Sequence, residues 1–184
     1  MSVIREIGNL FAAAGGAAYF GEPVTVVEHG LQAAHFARQA QADESLVVAA
    51  LLHDIGHLLV AAPDDLAAWT HDAAHEAVGA AWLALRFGAE VADPVRLHVA
   101  AKRYLCATTD RYLDSLSPAS RHTLELQGGP MSVAEAEAFR AEPGFRAALQ
   151  LRLWDDRAKV PGLVTAPFQD YLALIERQAR RTGA

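Results

Sequence analysis

Hydrophobic residues recur along this chain at helical spacing. Val3, Ile7 and Leu10 share one side of a predicted first helix, residues 2–14, and Gly15-Gly16 follows as a break. No segment shows the sustained alternation of apolar and polar residues that predicts a half-buried strand. The pattern therefore predicts an all-α fold, and the short connections predict that successive helices are antiparallel neighbours.

Proline and capping residues set the predicted helix boundaries. Pro23 and Pro94 each predict the start of a helix, because proline is favoured in the first helical turn. Ser117-Pro118 predicts a cap followed by a short helix, and Ser132 to Glu135 has the spacing of a capping box. The full set of predicted helices is 2–14, 23–40, 43–61, 72–87, 94–113, 118–126, one that begins at 132, 144–159 and one that ends at 181.

The least polar stretch is residues 46–60, LVVAALLHDIGHLLV, where the polar side chains are His53, Asp54 and His57. A run without a polar face predicts a helix that is buried on all sides. An ionised carboxylate is costly in such a place unless it is paired or bound to a cation. The adjacent His-Asp pair therefore predicts a metal site. The alternative is a hydrogen-bonded pair that only holds helices together.

Composition and charge narrow the class of protein. The 184 residues are 52% hydrophobic, which predicts one domain, residues 1–184, with a substantial core. The net charge of −6 argues against nucleic acid as the main partner. Cys106 is a single cysteine and fits a reducing compartment. With no signal-peptide pattern at the N-terminus and no stretch suited to a membrane span, we predict a cytoplasmic protein without a membrane partner.

Further candidate metal ligands lie on other predicted helices. His29 precedes the apolar stretch, and His75 and His98 follow it. Imidazole and carboxylate ligands together suit iron, zinc or manganese, and helical bundles build metal sites from facing helices. The predicted ligands are His29, His53, Asp54, His75, His98 and Asp155. Four histidines with so few carboxylates suggest two metal ions bridged by Asp54, since a carboxylate can span two cations and an imidazole cannot.

Several motifs follow one another in an order that is typical of one enzyme family. They are YFGEPV, EHGLQAAHFA, LLHDIGHLL, DAAHEAVGAAWL, HVAAKRYLC, LQGGPMS and LRLWDDRAK. Over nearly its whole length the chain resembles the HD-domain mixed-valent diiron oxygenases of organophosphonate catabolism. The HD pair alone would specify only the superfamily, whereas HVAAKRYLC, LQGGPMS and LRLWDDRAK together are more specific. The resemblance implies a helical bundle of the HD superfamily.

The resemblance also implies how the ligands are divided between two iron ions, one Fe(II) and one Fe(III), with O2 as co-substrate. His29, His53, Asp54 and Asp155 would hold the first iron, and Asp54 would bridge to a second iron held by His75 and His98. The first would keep a position open for O2, and the second has too few protein ligands to be closed. An open position is what a catalytic metal needs.

Seven further residues receive roles from the resemblance. The predicted phosphonate contacts are His57, Lys102, Ser120, Thr123 and Gln127. Helical spacing alone would also allow His57 to be a ligand. Lys102 lies one turn after His98 and would supply a positive charge from a buried position. Tyr19 would coordinate the second iron before the substrate arrives, and Glu22 would pair with an ammonium group of the substrate. The predicted catalytic residues are Tyr19, Glu22, His57 and Lys102.

The implied reaction is oxidative cleavage of the C–P bond in a small organophosphonate. A substrate of the 1-hydroxy-2-aminoethylphosphonate type would give phosphate and a carboxylic acid such as glycine, and whether its amine is primary or trimethylated stays open. A separate hydroxylase, acting earlier in the same pathway, would supply the C1 hydroxyl. No physical contact between that hydroxylase and this protein is implied. One alternative is an HD phosphohydrolase that activates water against a nucleotide or phosphomonoester. The other is a non-catalytic HD module that binds a ligand or a partner.

Overall fold

A computed structural model describes residues 2–60 and 74–180, and helices dominate both ranges. The helices are α1 (Val3–Ala14), α2 (Val26–Gln39), α3 (Glu44–Leu52), α4 (Ile55–Leu59), α5 (His75–Ala84), α6 (Ala89–Thr108), α7 (Tyr112–Ser115), α8 (Pro118–Leu126), α9 (Val133–Arg140), α10 (Phe145–Arg157) and α11 (Leu172–Arg180), which a 3-10 turn at Phe168–Tyr171 precedes. Within these ranges β-pairing amounts to one isolated bridge between Ala18 and Thr25. The predicted all-α class is therefore confirmed.

Helix α3 lies at the centre of the core. Every residue from 46 to 52 is buried, and the helix packs against α2, α6, α10 and α11. Helix α10 also packs against α6 and α2, so it joins two of the helices that surround α3. Because α3 has no polar face, only enclosure by apolar neighbours on all sides removes its surface from water. The predicted burial is confirmed for residues 46–56, whereas residues 57–60 are only partly buried.

The apolar stretch 46–60 is two helices rather than the single predicted one. Helix α3 ends before His53, and α4 begins after Asp54. Asp54 has φ −101° and ψ 15°, in the sparsely populated bridge region next to the helical one. The His57 N–H donates to the Asp54 carbonyl at 3.0 Å, which is a tighter turn than an α-helix makes. The His-Asp pair therefore lies at a break between two helices, and spacing along one helix does not relate His53 to His57.

Two helix starts that were predicted at prolines are wrong. Helix α2 begins after Pro23, because Thr25 and Glu28 form a capping box in which each side chain accepts the other's backbone N–H. Helix α6 begins before Pro94, which therefore lies inside it. Burial of Val91 against the core extends α6 in the N-terminal direction, and this packing outweighs the missing proline N–H. In both cases the start of the helix is decided by other interactions and not by the position of the proline.

Two starts that were predicted from capping residues are confirmed. The Ser117 hydroxyl accepts the Ser120 N–H at 3.2 Å, and Pro118 is the first residue of α8. Ser132 and Glu135 form the predicted capping box of α9. The predicted helix 94–113 ends earlier, at the end of α6, and α7 is separate from it. The predicted boundaries at Ala61, Asp72 and Arg181 lie outside the described residues.

No helix among residues 2–60 and 74–180 combines the length and the apolar composition that a membrane span requires.

Candidate metal centre and substrate cavity

The six predicted metal ligands converge in the interior of the helical bundle, and all six are buried. They come from five places in the fold: His29 from α2, His53 and Asp54 from the break between α3 and α4, His75 from α5, His98 from α6 and Asp155 from α10. Residues that are far apart in the sequence therefore meet at one point. Five of them form two groups, which share Asp54, and Asp155 lies beside the first group.

The first group surrounds one oxygen of Asp54. The Nε2 atoms of His29 and His53 are 3.0 Å apart, and Asp54 Oδ2 lies 3.6 Å and 3.5 Å from them. Asp155 Oδ1 lies 3.3 Å from His29 Nε2 and 3.9 Å from His53 Nε2. Two imidazole nitrogens and two carboxylate oxygens therefore face a common centre.

The second group surrounds the other oxygen of Asp54. The Nε2 atoms of His75 and His98 are 3.2 Å apart, and Asp54 Oδ1 lies 3.3 Å and 3.6 Å from them. Since the two oxygens of one carboxylate face different pairs of histidines, Asp54 has the geometry of a bridging ligand. Among the described residues, no fourth protein ligand joins this group.

The hydrogen bonds of the imidazoles indicate which ring nitrogen is available to a metal. The Nδ1 atoms of three histidines lie against backbone carbonyls: His29 on Ala158 (2.8 Å), His53 on Ala50 (2.8 Å) and His98 on Val95 (2.7 Å). A carbonyl only accepts, so Nδ1 carries the hydrogen, and Nε2 of the neutral ring presents a lone pair. In the first group two such lone pairs face each other at 3.0 Å. They repel unless a cation lies with them, so the donor set fits a metal ion.

Burial disfavours a proton as that cation. It lowers the pKa of His53, and it lowers the pKa of His98 to about 3. Burial alone would raise the pKa of Asp54, but its interactions with His53 and His75 hold that pKa well below the usual value. Neutral imidazoles beside an ionised carboxylate are the forms in which these groups bind metals.

Tyr19 closes one side of the first group. Its hydroxyl donates to Asp54 Oδ2 at 2.6 Å, and its ring stacks on His29 with centroids 3.9 Å apart. Burial, followed by the charge of Asp54, raises the pKa of Tyr19 well above its usual value, which keeps the hydroxyl a donor. The structure therefore places Tyr19 beside the first group, whereas the resemblance placed it at the second. The turn at Phe20 and Gly21, which both have positive φ, holds the ring in this position.

The predicted substrate residues line one cavity beside the second group. Those that line it are Tyr19, Glu22, His57, Lys102, Ser120, Thr123 and Gln127, together with Asp54, His75 and His98. The helix pair α6 and α8 contributes the polar wall. The structure therefore brings every predicted substrate contact to the same place, next to the histidines that the resemblance assigned to the second iron.

Lys102 has the buried position that the sequence predicted. It is 2% exposed, and its Nζ donates to Thr123 Oγ1 at 2.8 Å and to the Ser120 carbonyl at 3.4 Å. Burial, together with the nearby Arg152 guanidinium, lowers the pKa of Lys102 to about 7. An anion in the cavity would favour the charged form of this lysine. Its position therefore suits a ligand with negatively charged oxygens.

His57 lies at the edge of the second group, partly buried. Its ring stacks on His75 with centroids 4.0 Å apart, and it packs on Phe20 at 4.4 Å. Its nitrogens belong to neither group of converging ligand atoms. Burial lowers the pKa of His57 well below its usual value. The arrangement favours the predicted contact with substrate over the alternative of a metal ligand.

Comparison with protein families identifies the family to which the fold belongs. A model of the HD domain matches residues 26–135, which include five of the six candidate ligands. The chain belongs to the HD-domain family. The matched part does not extend to Tyr19, Glu22 or Asp155.

Three individual proteins are similar to this HD-domain chain. Hydroxymethylphosphonate dioxygenase of Gimesia maris is 46% identical over 162 residues, which cover 88% of this chain and 81% of the relative. [1-Hydroxy-2-(trimethylamino)ethyl]phosphonate dioxygenase (glycine-betaine-forming) of Leisingera caerulea is 40% identical over 180 residues, 96% of this chain and 90% of the relative. An uncharacterized protein of Acanthamoeba polyphaga mimivirus is 34% identical over 174 residues, which cover 94% of this chain and 80% of the relative. The predicted resemblance to HD-domain phosphonate dioxygenases is confirmed.

Two charged residues of the cavity were missed by sequence reasoning, and both lie beyond the matched HD region. Arg152 donates from Nη1 to Asp155 Oδ2 at 2.8 Å. Lys159 Nζ lies 2.9 Å from Ser120 Oγ and 3.5 Å from Glu22 Oε1. Both line the cavity. Arg152 had a usable signal, since a residue three positions before an aspartate on a helix lies on the same face. Lys159 had none of this kind, because it lies beyond the end of α10.

Proposed function

We propose that this HD-domain protein is a dioxygenase that uses O2 to cleave the C–P bond of a small 1-hydroxyphosphonate. The main support is the position of the Asp54 carboxylate between two pairs of buried histidines. A cavity that contains a buried lysine lies beside them. A hydroxyphosphonate dianion and O2 would give a carboxylate, hydrogen phosphate and a proton, so the reaction needs no further reductant. The similarity to the phosphonate dioxygenases of Gimesia maris and Leisingera caerulea supports this reaction class.

The proposed cofactor is a pair of iron ions, one Fe(II) and one Fe(III). We assign His29, His53, Asp54 and Asp155 to the first and Asp54, His75 and His98 to the second. When bound, the irons would supply the binding of O2 and the electron transfer that amino-acid side chains cannot provide. The neutral imidazoles and ionised carboxylates described above are the forms that such ions require.

The cavity wall opposite the second group is the proposed phosphonate site. Lys102 would supply a positive charge, and the Thr123 hydroxyl, which already contacts its ammonium group, would help to orient it. His57, Ser120 and Gln127 add hydrogen-bonding groups around the same space. Such an arrangement binds several oxygens of one phosphorus centre and so orients the C–P bond.

The segment from Tyr19 to Glu22 is the proposed gate. The Glu22 N–H donates to the Tyr19 carbonyl at 2.7 Å, so the two residues move together. Tyr19 covers Asp54, and Glu22 faces the cavity. A substrate that contacts this segment would displace the Tyr19 hydroxyl and uncover the first group. Tyr19→Phe removes the hydrogen bond to Asp54 and should increase O2 consumption in the absence of substrate.

The decisive experiment combines two measurements on iron-loaded protein prepared without air. O2 uptake and phosphate release should occur in equal amounts with hydroxymethylphosphonate, and neither should occur when iron is withheld. Electron paramagnetic resonance should report a mixed-valent diiron signal. The phosphohydrolase alternative predicts instead that phosphate is released from a nucleotide or phosphomonoester without O2. That result would overturn the proposal.

The proposed reaction implies a source for its substrate. The substrate must already carry a hydroxyl on C1, so a separate hydroxylase would supply it. The cytoplasmic location stays a prediction from the cysteine content.

A further inference from the structure

We infer that Lys159 sets the substrate range of this enzyme by neutralising Glu22. The cavity would then prefer 1-hydroxyphosphonates that carry no positive charge next to C1, such as hydroxymethylphosphonate. This inference rests on the proposed function and departs from the 2-amino substrate that the sequence resemblance implies. It concerns Glu22, a carboxylate that, unlike Asp54 and Asp155 in the described lining of the cavity, is not a candidate metal ligand and faces a lysine.

The Glu22 carboxylate is already engaged within the chain. Its Oε1 accepts a hydrogen bond from the Ser117 hydroxyl at 2.5 Å and lies 3.5 Å from Lys159 Nζ. The Glu22 and Lys159 side chains are each only 11% exposed, so solvent screens this pair weakly. An ammonium group of a substrate would have to replace Lys159 at the carboxylate or lie beside it.

Lys159 is held in a position from which its ammonium group would repel an ammonium group of the substrate. Its Nζ lies 2.9 Å from Ser120 Oγ and 3.5 Å from Ser117 Oγ, which tie it to the start of α8. Lys102 lines the same cavity, whereas Arg152 is paired with Asp155, so the two lysines are the cations of this wall that face the substrate space. Such a wall attracts the phosphonate dianion and repels a substrate ammonium group. Like charges brought together in a binding site cost affinity and so set specificity.

The size of the cavity points in the same direction. It measures about 50 Å³, on a scale where one water molecule needs about 10–15 Å³. Phe20 packs on His57 with ring centroids 4.4 Å apart and bounds the cavity near Glu22. This space suits a hydroxyphosphonate with a small substituent on C1.

Three substrates separate charge from size. Hydroxymethylphosphonate is the smallest, and 1-hydroxypropylphosphonate differs from 1-hydroxy-2-aminoethylphosphonate mainly in a methyl group that replaces the ammonium group. For the wild-type enzyme we expect kcat/KM to be higher for the propyl than for the aminoethyl compound by at least about tenfold, because of the like-charge penalty. Hydroxymethylphosphonate should be turned over at least as efficiently as the propyl compound.

The matched variants test the lysine itself. Lys159→Met frees the Glu22 carboxylate and should reduce the propyl-to-aminoethyl ratio by at least about tenfold. Lys159→Arg keeps the charge and should keep the ratio. A wild-type enzyme that prefers the aminoethyl compound, or a Lys159→Met ratio equal to that of wild type, would overturn the inference while leaving the proposed function intact. If no hydroxyphosphonate yields phosphate with O2 uptake, the proposed function fails and the inference fails with it.

Discussion

The Arg152 guanidinium is the buried cation that holds the C-terminal metal ligand. Nη1 donates to Asp155 Oδ2 at 2.8 Å, Nη2 pairs with Asp156, and Nε donates to the Tyr112 hydroxyl at 3.2 Å. Because Arg152 contacts Oδ2, Asp155 turns its other oxygen toward His29. Arg152→Met keeps much of the side-chain volume and removes the charge and all of these hydrogen bonds.

The expected loss of stability follows from burial. Arg152 is 4% exposed and Asp155 is 3% exposed. Removing one partner of a buried ion pair costs about 3–5 kcal/mol, since the remaining charge stays away from water. Arg177 and Glu44 form a surface pair at 2.6 Å with side chains 54% and 51% exposed. Arg177→Met should cost at most about 1 kcal/mol.

The effect should also depend on pH. Burial alone would raise the pKa of Asp155, but Arg152 and His29 hold it well below the usual value. A depressed carboxyl pKa contributes stability that is present above the unfolded pKa of about 3.9 and is lost as the pH falls through the folded value. In Arg152→Met the same carboxyl group can take up a proton at higher pH. The stability gap to wild type should therefore be widest near neutral pH and should narrow below about pH 4.

Urea unfolding of the metal-free protein measures this gap directly. Wild type, Arg152→Met and Arg177→Met are compared at neutral pH by circular dichroism, with slopes checked for two-state behaviour. The structure predicts a difference of at least about 2 kcal/mol between the two variants, from burial alone. Equal losses in the two variants would refute the assignment of Arg152 as the buried partner of Asp155.

Three further predictions test the site and its support. Asp54→Asn should lower the iron content for both ions, measured by metal analysis after loading, and retention of one full ion would contradict the bridge. Gly56→Ala places a Cβ against the His75 carbonyl oxygen, which is backbone, and should cost about 1–3 kcal/mol in urea unfolding. Gly8→Ala meets nothing within 4 Å and should be neutral or stabilising. The pKa of Lys102, lowered to about 7, means that its charge is lost as the pH rises through that value. Binding of inorganic phosphate, measured by calorimetry, should therefore weaken above about pH 7, and a pH-independent affinity would contradict the role of Lys102.

Local sequence signals predicted those helix boundaries that depend on neighbouring residues. The Ser117 and Ser132 caps are interactions over three positions, and both form as expected. The starts at Pro23 and Pro94 failed because proline is only permitted early in a helix and does not require one. At Pro94 the deciding contribution was burial against other helices, which no local window contains.

The sequence by itself determined the all-α class, the HD resemblance and the six candidate ligands, since periodicity and residue chemistry are readable along one chain. Only the tertiary structure decided how those ligands are shared. The two oxygens of Asp54 face different histidine pairs because the helix breaks at that residue and other helices deliver the partners. The pairing of Glu22 with Lys159 likewise depends on packing between remote segments. Distances of this kind are set by the assembled core, which is why spacing along the chain could not supply them.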